Sequence, residues 1–167
     1  MRVQRTLVPA QTSEPPYATY AALVGIFGAG LTGVAGLTTL LGRRPERLGP
    51  LDLTVLCAAT FKASRTITSD EVMSFVRDPF VKGEAHEGKE DPVETGGPRQ
   101  ALGELLTCSR CVGAWTAAGL VSAQTLAPRT ARLLTWSLAA SAANDFLQAG
   151  FAALAAKTNE LEQRTGD

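Results

Sequence analysis

Two cysteines three positions apart, Cys108 and Cys111, are the side chains with the clearest chemical use in this sequence of 167 residues. In a helix they lie on neighbouring turns of one face, with Cβ atoms about 5–6 Å apart, which is within reach of a disulfide after modest adjustment. Arg110 lies between them, and Glu104 lies one turn earlier. A guanidinium stabilises a nearby thiolate, whereas burial and a carboxylate oppose it. The pattern indicates a candidate redox pair, as in membrane thiol–disulfide oxidoreductases.

Three interpretations of this cysteine pair stay open. A redox relay normally needs a second pair or a cofactor, and Cys57 is the one cysteine left. A metal site needs two ligands besides Cys108 and Cys111. The sequence offers only scattered candidates, so we expect no cofactor and no metal. Small thiols also fill space where helices pack. We favour packing over redox chemistry, and redox chemistry over metal binding.

Asp145 is the second candidate, because it lies about halfway along an apolar segment, 133–156. A carboxylate at the centre of a bilayer costs about 2.5–3.5 kcal/mol on insertion scales, so it should be protonated, paired or hydrated. Asn144 and Gln148 share one helical face beside it. We favour a polar clamp between helices over a proton or ion path. The candidate partners of the carboxylate are Lys62, Arg65 and Arg110.

The elements that must position these side chains are predicted to be four membrane-spanning helices, over about 17–41, 51–68, 101–127 and 133–156. The first of these segments carries no charge in 25 residues, and about 20 apolar residues suffice to span a bilayer as a helix. Lipid leaves backbone polar groups no partner outside the segment, which favours helices. The segment 51–68 could instead cross only halfway. The predicted fold is all-α, a polytopic membrane protein forming a compact bundle of four helices.

Small residues mark the faces on which these helices are predicted to pack. A ridge at i, i+4 spacing in the first segment permits close approach of another helix, in this chain or in a second copy. Gly113 and Trp115 follow the cysteines, where glycine permits close approach and tryptophan could cover the pair. The ridge residues are Ala21, Gly25, Ala29 and Gly33.

The remaining segments are polar. Residues 1–16 are predicted to be a flexible tail, 17–157 the helical membrane domain, and 158–167 a polar tail. The acidic loop 82–99 contains one large apolar residue, Val93, which is too little apolar surface to offset the entropy of ordering. We therefore predict that this loop is disordered.

Charge limits the partners and the location. Sixteen basic and sixteen acidic residues cancel, so a nucleic-acid surface is not expected. The expected partners are the lipid bilayer, a second copy of the chain or other membrane proteins. More basic residues lie on the side of the tails, which favours cytoplasmic termini in an inner membrane. Two very short loops oppose this orientation, because the positive-inside rule acts most strongly on short loops. Their basic residues are Arg43, Arg44, Arg47, Arg129 and Arg132.

Three stretches together resemble a bacterial membrane-protein family catalogued as a domain of unknown function, number 1360. They are 65–70, 77–80 and 106–115, the last reading Leu-Thr-Cys-Ser-Arg-Cys-Val-Gly-Ala-Trp. Ser109 stands where this family usually has proline. The resemblance covers about residues 50–155 and implies a membrane protein without an established activity, substrate or cofactor.

The sequence therefore predicts a structural or interaction component of the bacterial membrane, and we lean against an enzyme. The first alternative is a membrane thiol–disulfide oxidoreductase that uses Cys108 and Cys111. The second is a small transporter or channel accessory that uses Asp145.

Overall fold

The computed structural model describes residues 15–43, 47–83 and 90–165, and within them it contains six α-helices and one short antiparallel strand pair. The predicted all-α class is confirmed. A 3-10 turn at Glu71–Met73 joins α2 to α3. The helices are α1 (Tyr17–Leu40), α2 (Pro50–Ser69), α3 (Ser74–Arg77), α4 (Pro98–Thr107), α5 (Ser109–Leu126) and α6 (Pro128–Thr165), and the strands are β1 (Val81–Lys82) and β2 (Asp91–Pro92).

Helix α2 lies at the centre of the bundle, where it packs against both α5 and α6. The apolar core consists of three residues of α2, one of α5 and one of α6. Small side chains at these contacts, such as the fully buried Ala59 and Ala142, let the helix backbones approach closely. The core residues are Val55, Leu56, Ala59, Leu120 and Ala139.

The helix directions alternate along the chain. Tyr20 near the start of α1 contacts Glu104, just before α5, and Arg43 after the end of α1 contacts Leu126 at the end of α5. Helices α1 and α5 therefore run in one direction, and α2 and α6, which each follow a short connection, run in the other. One end of the bundle holds the starts of α2 and α6. This end is called the arginine end. The opposite end, called the cysteine end, holds the described residues of 70–83 and 90–107 and the start of α5.

The positions of the helices can be compared with the four predicted spans. Helix α1 matches 17–41, and α2 matches 51–68 to within a residue at each end. Helix α6 is longer than the predicted 133–156, since it begins at Pro128 and continues through most of the predicted polar tail. Among the helices in the described part of the chain, α1 alone is long and apolar enough to cross a membrane, and only 6% of its apolar window is buried.

The prediction of a single helix over 101–127 is wrong. The structure has two helices there, α4 and α5, which are separated at Cys108. This residue has an extended backbone, with φ −100° and ψ 99°, and it caps α5. Its Sγ atom accepts a hydrogen bond from the backbone N–H of Cys111 at 3.3 Å. A cap residue requires this non-helical conformation to satisfy the first amides of the next helix. The cysteine pair therefore begins a helix and does not lie in the middle of one.

The loop 82–99 was predicted to be disordered, but the structure shows ordered elements at both of its ends. Residues 84–89 lie outside the described residues. Val81 pairs with Pro92, and Lys82 pairs with Asp91. Val93 is buried, and its N–H donates to the carbonyl of Phe80 at 3.1 Å. The physical reason is that β2 pairs with β1 and docks against α4, which gives this otherwise polar segment a partner. Residues 1–14 of the predicted tail 1–16 lie outside the described residues.

Candidate functional site: the disulfide at the start of helix α5

Cys108 and Cys111 are joined by a disulfide at the first turn of α5, with Cα atoms 5.2 Å apart. Cys108 is half-buried, whereas Cys111 is exposed. The N-terminus of a helix carries a partial positive charge, which stabilises a thiolate released there. Cys111 is therefore the more exposed residue of the bond, and a thiolate at Cys108 would lie at the N-terminus of α5.

Glu104 lies one turn before the disulfide and joins two helices. Its Oε2 atom accepts a hydrogen bond from the hydroxyl of Tyr20 in α1, and its Oε1 atom accepts one from Nε2 of Gln100 at 2.9 Å. The side chain of Gln100 in turn accepts from the N–H of Gly96 at 2.8 Å. Both carboxylate oxygens are thus engaged, and the network fixes the start of α1 against α4.

An apolar pocket of about 350 Å³ lies between α1, α4 and α5, directly beside the disulfide. Phe27 and Trp115 form part of its wall, with ring centroids 5.0 Å apart in an edge-to-face arrangement. Cys111 and Glu104 lie on the same wall. The structure thus brings together three of the sequence candidates, Cys111, Glu104 and Trp115, around one cavity.

Arg110 does not join this cluster. It is exposed, and its side chain makes no hydrogen bond or ion pair with the described residues. Cys57 is also exposed and is a free cysteine of α2. Within the described ranges, no group of three or more His, Cys, Asp and Glu side chains could hold a metal ion. Among the described residues, the cysteine pair is therefore not part of a group of three or more such side chains.

Asp145 is paired with Lys62, one of its three predicted partners, at 2.8 Å between Nζ and Oδ2. Next to this pair, the rings of Phe61 and Phe146 stack with centroids 5.4 Å apart. Both contacts join α2 to α6, which is the geometry expected of a polar clamp. The neighbouring Asn144 and Gln148 are exposed on the outer surface of α6.

The predicted small-residue ridge of α1 faces outward. All four of its residues are exposed, and a Cβ atom added at either of its glycines would meet nothing within 4 Å. A Cβ atom added at Gly113 would also meet nothing within 4 Å, so the predicted close helix approach there is not made with the described residues. A close approach occurs instead at Gly103 of α4, where an added Cβ would overlap the carbonyl oxygen of Phe80. The sequence carries no signal for this contact, because it depends on where β1 and β2 dock.

Arg77 is a structural residue that no single sequence motif indicates. It is completely buried, and its guanidinium pairs with Glu90 at 2.7 Å. It also donates to the carbonyls of Ile67 at 2.8 Å and Asp70 at 3.0 Å. One arginine thus ties the end of α2 to α3 and to the segment before β2. The stretch 77–80 that carried the family resemblance begins at this residue, and that was the available signal.

Comparisons with known proteins agree with that resemblance. The family model described as "Protein of unknown function (DUF1360)" matches residues 55–151. Sporulation protein YjcA of Bacillus subtilis is 30% identical over 95 residues, which cover 53% of this chain and 80% of that protein. UPF0713 protein YngL of the same organism is 29% identical over 104 residues, which cover 62% of this chain and 80% of that protein. No solved structure matches.

Proposed function

This chain belongs to the DUF1360 family of proteins of unknown function, and from this premise we propose that it is a multi-pass membrane protein with a structural or interaction role. The observation that carries the proposal is the outer surface of α1. Val24 is 72% exposed and Ile26 is 61% exposed, in a helix whose apolar window is only 6% buried. A large apolar side chain gains about 1.5–3 kcal/mol when it leaves water. Hydrocarbon around α1 supplies that gain without any partner protein.

The length of α1 also supports hydrocarbon as its surroundings. The 24 residues of α1 extend about 36 Å, enough to cross a hydrocarbon core of about 30 Å. Large apolar residues also cover the outer surface of α6, where Phe146, Leu147 and Phe151 are each more than 60% exposed. Helices α2 and α5 complete a bundle whose polar clamp, Lys62 with Asp145, lies between helices. The outward ridge of α1 supplies a contact surface for a second copy or another membrane helix.

The membrane proposal is tested by alkaline extraction of bacterial membranes that contain the full chain. We expect the protein to stay in the membrane pellet and to need detergent for release. Leu31→Arg puts a charge in the middle of the outer surface of α1 and should reduce the pelleted fraction, because a central arginine is costly in lipid. Leu40→Arg is the matched control, since a charge at the helix end can reach the interface. Complete release of the wild-type protein by alkali contradicts the proposal.

A second candidate function is reversible thiol–disulfide exchange at Cys108 and Cys111. It is favoured by one observation, the disulfide at the start of α5 whose exposed residue, Cys111, lines an apolar pocket. A thiolate of a dithiol substrate attacks the Cys111 sulfur, and Cys108 leaves as a thiolate stabilised by the helix N-terminus. The second thiol of the substrate then releases Cys111. The substrate loses two electrons and becomes a disulfide, while the chain gains two electrons and, after proton uptake by the thiolates, carries two thiols.

The exchange reaction is tested by equilibrating the purified protein in glutathione redox buffers and trapping thiols with a maleimide of high mass. In a Cys57→Ser background we expect both thiols to appear together at one redox poise, in protein that remains folded. Cys111→Ser should remove the intramolecular bond and leave Cys108 able to form only a mixed disulfide with glutathione, which mass spectrometry distinguishes. A disulfide that is reduced only after the protein unfolds shows a structural bond and contradicts exchange.

The chemistry of the two ends supports a proposal for the orientation of the bundle. Stable disulfides persist in oxidising compartments, and the disulfide lies at the cysteine end. The short basic loops lie at the opposite, arginine end, where the positive-inside rule favours the cytoplasm. The proposed orientation therefore places the arginine end in the cytoplasm and both termini outside, opposite to the sequence expectation of cytoplasmic termini. Alkaline phosphatase fused to the C-terminus should be active, and an inactive fusion supports cytoplasmic termini.

A further inference from the structure

We infer that the arginine end of the bundle binds the phosphate headgroup of an anionic phospholipid. A cavity of about 480 Å³ opens there, between the starts of α2 and α6 and the end of α5. Three guanidinium groups line it, from Arg47, Arg129 and Arg132. A guanidinium presents a fork of N–H donors that matches the oxygens of a phosphate. This inference rests on the proposed membrane location.

Two helix N-termini add to the positive potential of this cavity. Helix α2 begins at Pro50 and α6 begins at Pro128, and residues of both first turns, Asp52 and Arg129, line the cavity. The first amides of a helix have no acceptor within the helix, and they carry the positive end of its dipole. Pro50 and Pro128 carry no N–H, so the backbone donors available to an anion between the two starts are the amides that follow them, including those of the lining residues Asp52 and Arg129.

Among the described residues, one carboxylate lines the cavity, and it already accepts a hydrogen bond. Asp52 contributes the one carboxylate of the lining, and its Oδ2 atom accepts a hydrogen bond from the N–H of Gly49 at 3.0 Å. The carbonyl of Leu126, at the end of α5, accepts from Arg43, which also reaches the carbonyl of Thr125 at 3.4 Å. The three lining arginines make no ion pair with the described residues. The cavity thus keeps an excess of positive charge.

The rest of the lining distinguishes a lipid from free phosphate. Leu48, Val55 and Val121 lie in the same wall as the arginines, together with Trp136, which is 41% exposed. A phospholipid places its phosphate among the guanidinium groups and its glycerol and upper acyl chains along these apolar side chains. Tryptophan favours this depth in a membrane, where one edge meets water and the body meets lipid. Free phosphate uses only the charged half of the cavity.

The test is native mass spectrometry of the full chain in detergent, titrated separately with phosphatidylglycerol, phosphatidylcholine and inorganic phosphate. We expect retained phosphatidylglycerol, with about fivefold weaker retention for each arginine removed in Arg129→Gln, Arg132→Gln and the double variant. Arg65→Gln is the matched control, because Arg65 is an exposed arginine of α2 near the cysteine end. Circular dichroism verifies that each variant keeps its helices, and the single variants serve if the double variant does not fold.

Each outcome decides the inference. Retention of phosphatidylglycerol that falls in the arginine variants and not in Arg65→Gln supports it. Equal retention of phosphatidylcholine, or equal loss in Arg65→Gln, overturns it. Full competition by inorganic phosphate shows an anion site without lipid specificity and also overturns it. A chain that resists alkaline extraction but shows no lipid preference contradicts this inference alone, whereas a chain released by alkali contradicts the membrane proposal.

Discussion

Cys108 combines two roles in one residue, because it is half of a disulfide and the cap of α5. Its Sγ atom accepts the N–H of Cys111, so reduction of the bond leaves a sulfur that is still positioned to cap the helix. A serine at this position could keep the hydrogen bond, whereas an alanine could not. The capping role is therefore separable from the redox role by the choice of substitution.

The first prediction follows from that separation. Under reducing conditions, Cys108→Ala should unfold more easily than Cys108→Ser, by about 1 kcal/mol, which is the usual cost of a lost cap. Thermal unfolding in detergent, followed by circular dichroism, measures the difference. Equal stability of the two variants shows that the cap contributes nothing and that the break at Cys108 has another cause.

A second prediction at the residue scale concerns the buried Arg77. Replacing it with methionine leaves the carboxylate of Glu90 and two backbone carbonyls without their donor, which should cost about 3–5 kcal/mol. Limited proteolysis should then cut within residues 70–97 much faster than in the wild type. Arg99→Met is the control, since Arg99 is exposed and bonds one carbonyl, that of Pro79. Similar cleavage of both variants contradicts the proposed clamp.

At the scale of elements, the cysteine end shows what sequence patterns reach and what they miss. The apolar segments predicted α1 and α2 closely, because helix length and apolar composition are local properties. The break between α4 and α5 has a local part and a non-local part. Apolar residues continue on both sides of Cys108, but Thr107, Ser109 and Arg110 interrupt them at the break. Capping by the Cys108 side chain is local, whereas the docking of β2 and Phe80 against α4 joins separate segments. The same docking, and not any turn signal, fixes the position of Gly103.

The third prediction compares two glycines in neighbouring helices. Gly103→Ala should lower the unfolding temperature, because the new methyl group overlaps the carbonyl of Phe80 in backbone that cannot easily move. Gly113→Ala has open space around it and should be neutral or gain up to about 1 kcal/mol from helix propensity. Thermal unfolding of both variants in one detergent provides the measurement. A harmless Gly103→Ala means that β1 and β2 do not pack on α4 as described.

The fourth prediction concerns the pair that joins α2 to α6. Asp145→Asn leaves the ammonium group of Lys62 unpaired between helices and should lower stability. The charge-reversed double variant, Lys62→Asp with Asp145→Lys, should recover part of the loss, as a clamp requires. Thermal unfolding of Lys62→Asp, Asp145→Lys and the double variant measures the coupling between the two positions. A double variant as unstable as the sum of its single changes shows that the two groups do not interact.

At the level of the whole molecule, the bundle has two chemically different ends. The cysteine end holds the disulfide, the Glu104 network and the buried Arg77, while the arginine end holds two helix starts and a positively charged cavity. The sequence predicted the helices and the candidate residues but not these ends as sites, because each arises where segments distant in the chain meet. Arg47 and Arg132, for example, are far apart in sequence and line one cavity.

Side-specific labelling of single cysteines at the two ends, in intact bacteria, tests directly whether the bundle crosses a bilayer. The variants are Glu94→Cys at the cysteine end and Thr130→Cys at the arginine end, both exposed positions, in a chain whose own cysteines are replaced by serine. A bilayer crossed by the whole bundle predicts that a membrane-impermeant maleimide labels position 94 before lysis and position 130 only after it. Labelling of both positions from the same side contradicts the membrane-spanning bundle.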